Sequence, residues 1–152
     1  MSGKDIRESV GLLLVVASMV FVGLEIRQNT AVARGQTRQE LAALNQEWLT
    51  LMSQDAEYYD LFARAWQDED ELSEREETRA TLMMILNMRN LENVFFQYSE
   101  GFVDESALSS YGFQVTDIYG TDTFAAWWMT TRSAFHPEFV RFFSERMGLT
   151  EG

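Results

Sequence analysis

The sequence predicts an all-α protein: an N-terminal transmembrane helix that continues into a small acidic bundle of about five helices. Three observations carry this. One stretch near the N-terminus is apolar on every side. The rest of the chain repeats apolar residues at spacings of three and four. Strand signals are scarce, with no sustained alternation of β-branched and polar residues and no Asn-Gly or Asp-Gly hairpin. The 152 residues suit one domain with a short appendage. A content of 46% hydrophobic and 13% aromatic residues is enough to build a core.

The apolar stretch runs from Ser9 to Leu24 without a charged residue. As a helix it would be roughly 24 Å long, a little short of the ~30 Å hydrocarbon layer of a bilayer. Ile6 and Ile26 extend it if Arg7, Glu8 and Glu25 reach toward the headgroups. Leu12, Leu13, Leu14, Val15, Val16, Met19, Val20, Phe21, Val22 and Leu24 would face lipid, with residues 1–28 as anchor and 29–152 as the acidic helical domain. Two other readings compete. A cleaved signal peptide would use Ala31-Val32-Ala33, but that site lies nine residues past the apolar run, and Asp5 and Glu8 sit in the leading segment. A buried helix of a soluble bundle would normally show an apolar stripe rather than a full belt. Arg27, Arg34 and Arg38 follow the run, against Lys4, Arg7 and the terminal amine before it. This balance leans toward a cytoplasmic C-terminal domain.

In the polar stretch from the run to Gln39 no Pro interrupts the helix, and Gly35 is the one weak point. Leu41, Leu44, Trp48 and Leu51 give one apolar face of a helix ending near Ser53. Asp55 can cap a short second helix with Tyr58, Leu61, Phe62, Ala65 and Trp66 inward. Asp68-Glu69-Asp70-Glu71 reads as a loop of mutually repelling charges. Ser73-Glu74-Arg75-Glu76 is a capping box opening the longest soluble helix, about 73–99, with Leu82, Ile85, Leu86, Arg89, Asn93 and Phe96 on one side and Gly101 as terminator. A fourth helix is expected from Asp104 to Gly120 through Ala107, Leu108, Tyr111, Val115 and Ile118, with Gly112 weakening its middle. Thr121 or Asp122 caps a fifth, carrying Phe124, Trp127, Trp128 and Phe135. Pro137 opens the last, with Phe139, Phe142, Phe143 and Met147 before Gly148.

Composition removes several chemistries. There is no Cys, which excludes disulfides, thiolate metal sites and thiol nucleophiles. A single His excludes any site needing two imidazoles. A net charge of −12 argues against nucleic acid as a partner. No phosphate loop, nucleophile elbow, dinucleotide fingerprint, Glu-x-x-His pair or EF-hand spacing occurs, so no cofactor, metal or catalytic set is assigned.

Three features remain. His136, in Phe135-His136-Pro137-Glu138-Phe139, is either a helix-capping residue or a base paired with Glu138 or Glu92, or an axial ligand for a pigment. Asn87, Arg89, Asn90, Glu92, Asn93 and Gln97 crowd the longest soluble helix. They are either a buried polar site for a ligand or partner, or an Arg89–carboxylate contact with amide bonds that fix helix register. The stretch 55–77 holds ten acids against Arg64 and Arg75. It is either an electrostatic dock for a basic protein, centred on Asp68, Glu69, Asp70 and Glu71, or a solvated face. The Trp and Phe residues read as core, with the membrane interface as the other place for Trp.

Gly23-Leu24-Glu25-Ile26-Arg27-Gln28-Asn29-Thr30, Arg89-Asn90-Leu91-Glu92-Asn93-Val94-Phe95-Phe96-Gln97-Tyr98 and Phe135-His136-Pro137-Glu138-Phe139 together resemble a widespread group of small bacterial membrane proteins of unassigned function. Members have a short hydrophobic N-terminal helix ending in an Ile-Arg-Gln-Asn-Thr signature. The resemblance spans most of the chain and implies a single-pass protein with a helical domain; it supplies no activity and no catalytic residue. The expected role is that of an accessory or assembly subunit of a larger membrane complex, energy-transducing assemblies included, with membrane lipid and other membrane subunits as partners. The competing role is a small enzyme or a ligand- or pigment-binding domain using His136 with Glu138 or Glu92.

Overall fold

A computed structural model describes residues 3–66, 72–112 and 116–149. Every regular element among them is helical: α1 (Gly3–Gln54), α2 (Ala56–Trp66), α3 (Glu74–Ser99), α4 (Glu105–Ser110), α5 (Thr116–Tyr119), α6 (Asp122–Thr131), a 3₁₀ turn (Arg132–Ala134) and α7 (Pro137–Met147). The chain divides into two compact units, residues 1–37 and residues 38–152.

In the first unit α1 is one helix long and apolar enough to cross a membrane. The ten lipid-facing candidates from Leu12 to Leu24 are each between 50% and 69% exposed. Two hydroxyls here turn back onto the helix. Ser18 donates to the Leu14 carbonyl at 2.7 Å and Thr30 to the Ile26 carbonyl at 2.9 Å. The helix passes through Gly35 unbroken.

The second unit is built around aromatic residues and methionines. Trp128, Phe124, Phe139, Phe143, Met84 and Met88 are fully buried. Trp128 lies 4.9 Å from Phe143 between ring centroids and donates its indole N–H to Ser144 at 3.0 Å. Trp48 meets Phe62 edge-on at 5.4 Å, and Trp66 meets Trp127 in the same way at 5.5 Å. The tryptophans therefore pack as core, in the offset and edge geometries that aromatic quadrupoles favour.

Helix boundaries follow the caps. Asp55 accepts the Tyr58 N–H at 3.0 Å. Ser73 and Glu76 form the reciprocal capping box, and Glu76 also takes Arg64 at 2.6 Å. The Ser73 hydroxyl, Arg64 and the Ser73 N–H together lower the Glu76 carboxyl from 4.5 to about 2. Asp104 caps α4 through the Ser106 N–H, and Thr121, rather than Asp122, caps α6. Gly148 closes α7 in the left-handed conformation, where a Cβ would be strained.

Four expectations need correction. The apolar side of α3 is not the one carrying Leu82 and Leu86, which are 57% and 61% exposed. The core takes Ala80, Met83, Met84, Met88, Leu91 and Phe95 instead. Flexible methionines fill irregular space between helices, and they continue the stripe at helical spacing for longer than Leu82, Ile85 and Leu86 do. The inward face of α1 is centred on Leu41, Trp48 and Met52, while Leu44 and Leu51 are 38% and 43% exposed. The single fourth helix is broken: Gly112, just after α4, adopts φ +98°, which no helix allows, and α5 is a separate piece; Val115 lies outside the described residues. Phe135 is not on the fifth helix. It is extended, after the 3₁₀ turn, and still buried.

Candidate functional site

The polar residues of α3 separate into two groups. Arg89 and Glu92 form the first. Glu92 is 8% exposed, and its carboxylate accepts Arg89 Nη1 at 2.6 Å and the His136 backbone N–H at 2.7 Å. Arg89 Nη2 donates to the Ala134 carbonyl at 2.7 Å, and the guanidinium lies 4.7 Å from the centre of the Phe135 ring. One planar cation thus ties a carboxylate, a carbonyl and an aromatic face together. The segment 134–136, between the 3₁₀ turn and α7, is tied to α3 by this network.

His136 is the N-cap of α7, and its Nδ1 accepts the Glu138 N–H at 3.3 Å. In that bond Nδ1 is the acceptor, as a side chain capping a helix start must be. The ring stands edge-on to Phe96 at 5.0 Å. Glu138 meets His136 through its backbone and Glu92 through the His136 backbone, so neither carboxylate meets the imidazole as an acid–base pair would.

Asn87 and Asn90 form the second group, on another side of α3. Asn87 donates to the Tyr119 hydroxyl at 2.9 Å. Tyr119 is 3% exposed, and burial pushes its phenol up to about 12, partly opposed by Asn87, so it stays protonated at neutral pH. Asn90 faces Asn45 and Trp48 of α1 across a recess of about 20 Å³. The recess shares Asn45, Trp48, Asn87 and Tyr111 with a larger crevice of about 270 Å³ that reaches Met52, Phe62 and Tyr119. Asn93 is half-buried and has no hydrogen-bond partner among the described residues. Asn45 and Tyr119 were not singled out in the sequence. Asn45 could have been, as an amide between Leu41 and Trp48 on an apolar helix face. Tyr119 could not, because its role depends on the break at Gly112.

Of the acidic stretch, Asp68, Glu69, Asp70 and Glu71 lie outside the described residues. Two of its other acids are paired: Glu76 with Arg64, and Glu57 with Arg79 at 2.7 Å. Among the described residues no group of three or more acidic or His side chains could hold a metal ion. No protein-family model, no curated protein and no solved structure matches the chain.

Proposed function

We propose that this is a single-pass bacterial inner-membrane protein whose helical unit works through protein–protein contacts, as an accessory or assembly subunit of a larger membrane complex. The observation that carries the reading is the belt of ten large apolar side chains from Leu12 to Leu24, each at least half exposed. Full burial of one such side chain is worth about 1.5–3 kcal/mol. Covering the belt is therefore worth on the order of 10 kcal/mol, and lipid covers all sides of a helix at once. A Cβ at Gly11 or Gly23 would meet nothing within 4 Å. With Ala17 and Ser18 these small residues offer another membrane helix a close approach.

The engagement of Arg89, Glu92 and His136 in one interelement network favours contacts over catalysis as their use. Arg27, Arg34 and Arg38 favour a cytoplasmic helical unit, and the acids that are not paired within the unit remain available to a basic partner. Purification from native membranes in mild detergent tests the proposal. A particle well above 17.6 kDa plus micelle, with defined co-purifying chains, is expected. A monomer with no companion chain would sink the subunit role, and release of the full chain by an alkaline carbonate wash would sink the anchor.

A further inference from the structure

We infer that the outward face of α3, from Arg75 to Asn93, is a docking surface for an acidic amphipathic helix of a partner protein. This deepens the contact role proposed above and rests on it only in taking protein, rather than lipid, as the occupant. Two leucines on this face, Leu82 and Leu86, are more than half exposed, while the opposite face of α3 supplies the core through Met84, Leu91 and Phe95. Arg75, Arg79, Leu82, Leu86, Arg89 and Asn93 follow one another at spacings of four, three, four, three and four. That alternation is the seven-residue repeat by which one helix meets another along its length. It forms a second stripe on a helix whose first stripe is already inside.

Charge selects the occupant. The chain carries 24 acidic residues against 12 basic ones, yet this stripe holds three arginines and no acid. Glu76, Glu77 and Glu92, the acids of that span, lie about 80° or more round the helix from Leu82. Arg75 is exposed and has no ion pair among the described residues. Arg79 bonds Glu57, and Arg89 bonds Glu92 and the Ala134 carbonyl. Both guanidiniums remain nearly half exposed, with N–H groups to spare. With Glu57 and Glu92 counted, the surface still carries the positive charge of Arg75. The leucines offer apolar contact, and the arginines at either end of them receive carboxylates. A second copy does not suit this face. Antiparallel pairing about the midpoint of Leu82 and Leu86 sets Arg79 against Arg89, and parallel pairing sets each arginine against itself. An anionic bilayer would meet a whole side of the unit, the exposed Glu57 included, whereas a helix about 10–12 Å across covers the stripe alone.

The test uses the full chain in nanodiscs of neutral lipid. The chain has no Cys, so Thr78→Cys, at an exposed position one turn before Leu82, takes a single environment-sensitive dye. The probe is an alanine-rich helical peptide of about 20 residues carrying Glu-x-x-Leu-x-x-x-Leu-x-x-Glu, a spacing that reads the same in both directions. A saturable dye shift is expected, with affinity falling as salt is added. The same peptide with Lys in place of both Glu should bind about tenfold more weakly. Leu86→Ser should weaken the Glu peptide about tenfold. Because Leu86 is exposed, this variant should melt no lower than the parent, and Leu82→Ser repeats the test. No binding of the Glu peptide, equal binding of the two peptides, or unchanged binding in both Ser variants would overturn the inference. So would a dye shift without peptide, whether it grows with protein concentration, as for a second copy, or appears with anionic lipid in the disc, as for a bilayer. Failure here would leave the co-purifying chains of the subunit test in place, and absence of those chains would leave peptide binding in place.

Discussion

Residues 10–24 and residues 74–99 are both helical and both rich in apolar side chains, yet they treat those side chains in opposite ways. Around the first, every large apolar residue is exposed, up to 69% at Met19. In the second, Met84 and Met88 are fully buried while Leu82 and Leu86, two positions away, are more than half exposed. A helix with its apolar residues all round needs an apolar surrounding on all sides. A helix with a stripe needs only a neighbour on one side, and its other residues answer to water. The charged network follows the same division. Arg89, Glu92, Arg64 and Glu76 all belong to the unit that folds against itself, and the stretch between Ser9 and Leu24 has no charge to pair.

The largest expected effect breaks the comparison at its first term. Val16→Arg combined with Val20→Arg places two cations mid-helix at about 2.5–3.5 kcal/mol each for insertion. The protein should move from the carbonate-resistant membrane pellet to the soluble fraction while the far-UV helical signal of residues 38–149 persists. Retention in the pellet would mean that something other than lipid covers the belt.

The second term is broken in the core. Trp128→Ala removes a fully buried ring and leaves Ser144 without its donor. A loss of about 3–5 kcal/mol is expected from denaturant melts, with membrane association unchanged. Smaller is Glu92→Ala, which removes the acceptor of Arg89 and of the His136 N–H. About 2 kcal/mol should be lost, with the exchange protection of the His136 amide falling more than that of α3. Equal loss across both would show that the network does not hold the 134–136 segment locally.

The smallest effect sharpens the comparison at the start of α3. Ser73→Ala removes the cap, at about 1 kcal/mol. Because the folded-state pKa of Glu76 is depressed to about 2 from 4.5, its contribution is complete above pH 4.5 and is lost as the pH falls toward 2. A pH titration of the melting midpoint should therefore show a decline through that window, reduced in Ser73→Ala. An identical acid profile in the variant would remove Ser73 as the main cause.

Much of the fold can be read from local chemistry. The capping box at Ser73, the Asp55 and Thr121 caps, Pro137 as a first helical residue and Gly148 as a closing one each depend on groups within a few residues of each other, so spacing alone reveals them. The candidate site is less legible. That Arg89 and Glu92 would act together was readable from their spacing, but their shared target, the backbone from Ala134 to His136, lies more than forty residues away. That Asn45 and Asn90 line one recess depends on α1 meeting α3, which neither helix's own period specifies.

The sequence by itself determined that the chain is helical, that one segment is apolar on all sides, and where most helices begin and end, because those are matters of local hydrogen bonding and side-chain period. Only the tertiary structure decided which face of α3 is inside, that the helix expected over 104–120 is broken at Gly112, and which polar residues hold the unit together and which line a crevice. Those choices depend on how methionine and aromatic volumes fit between particular helices, and no period along one helix specifies its neighbour.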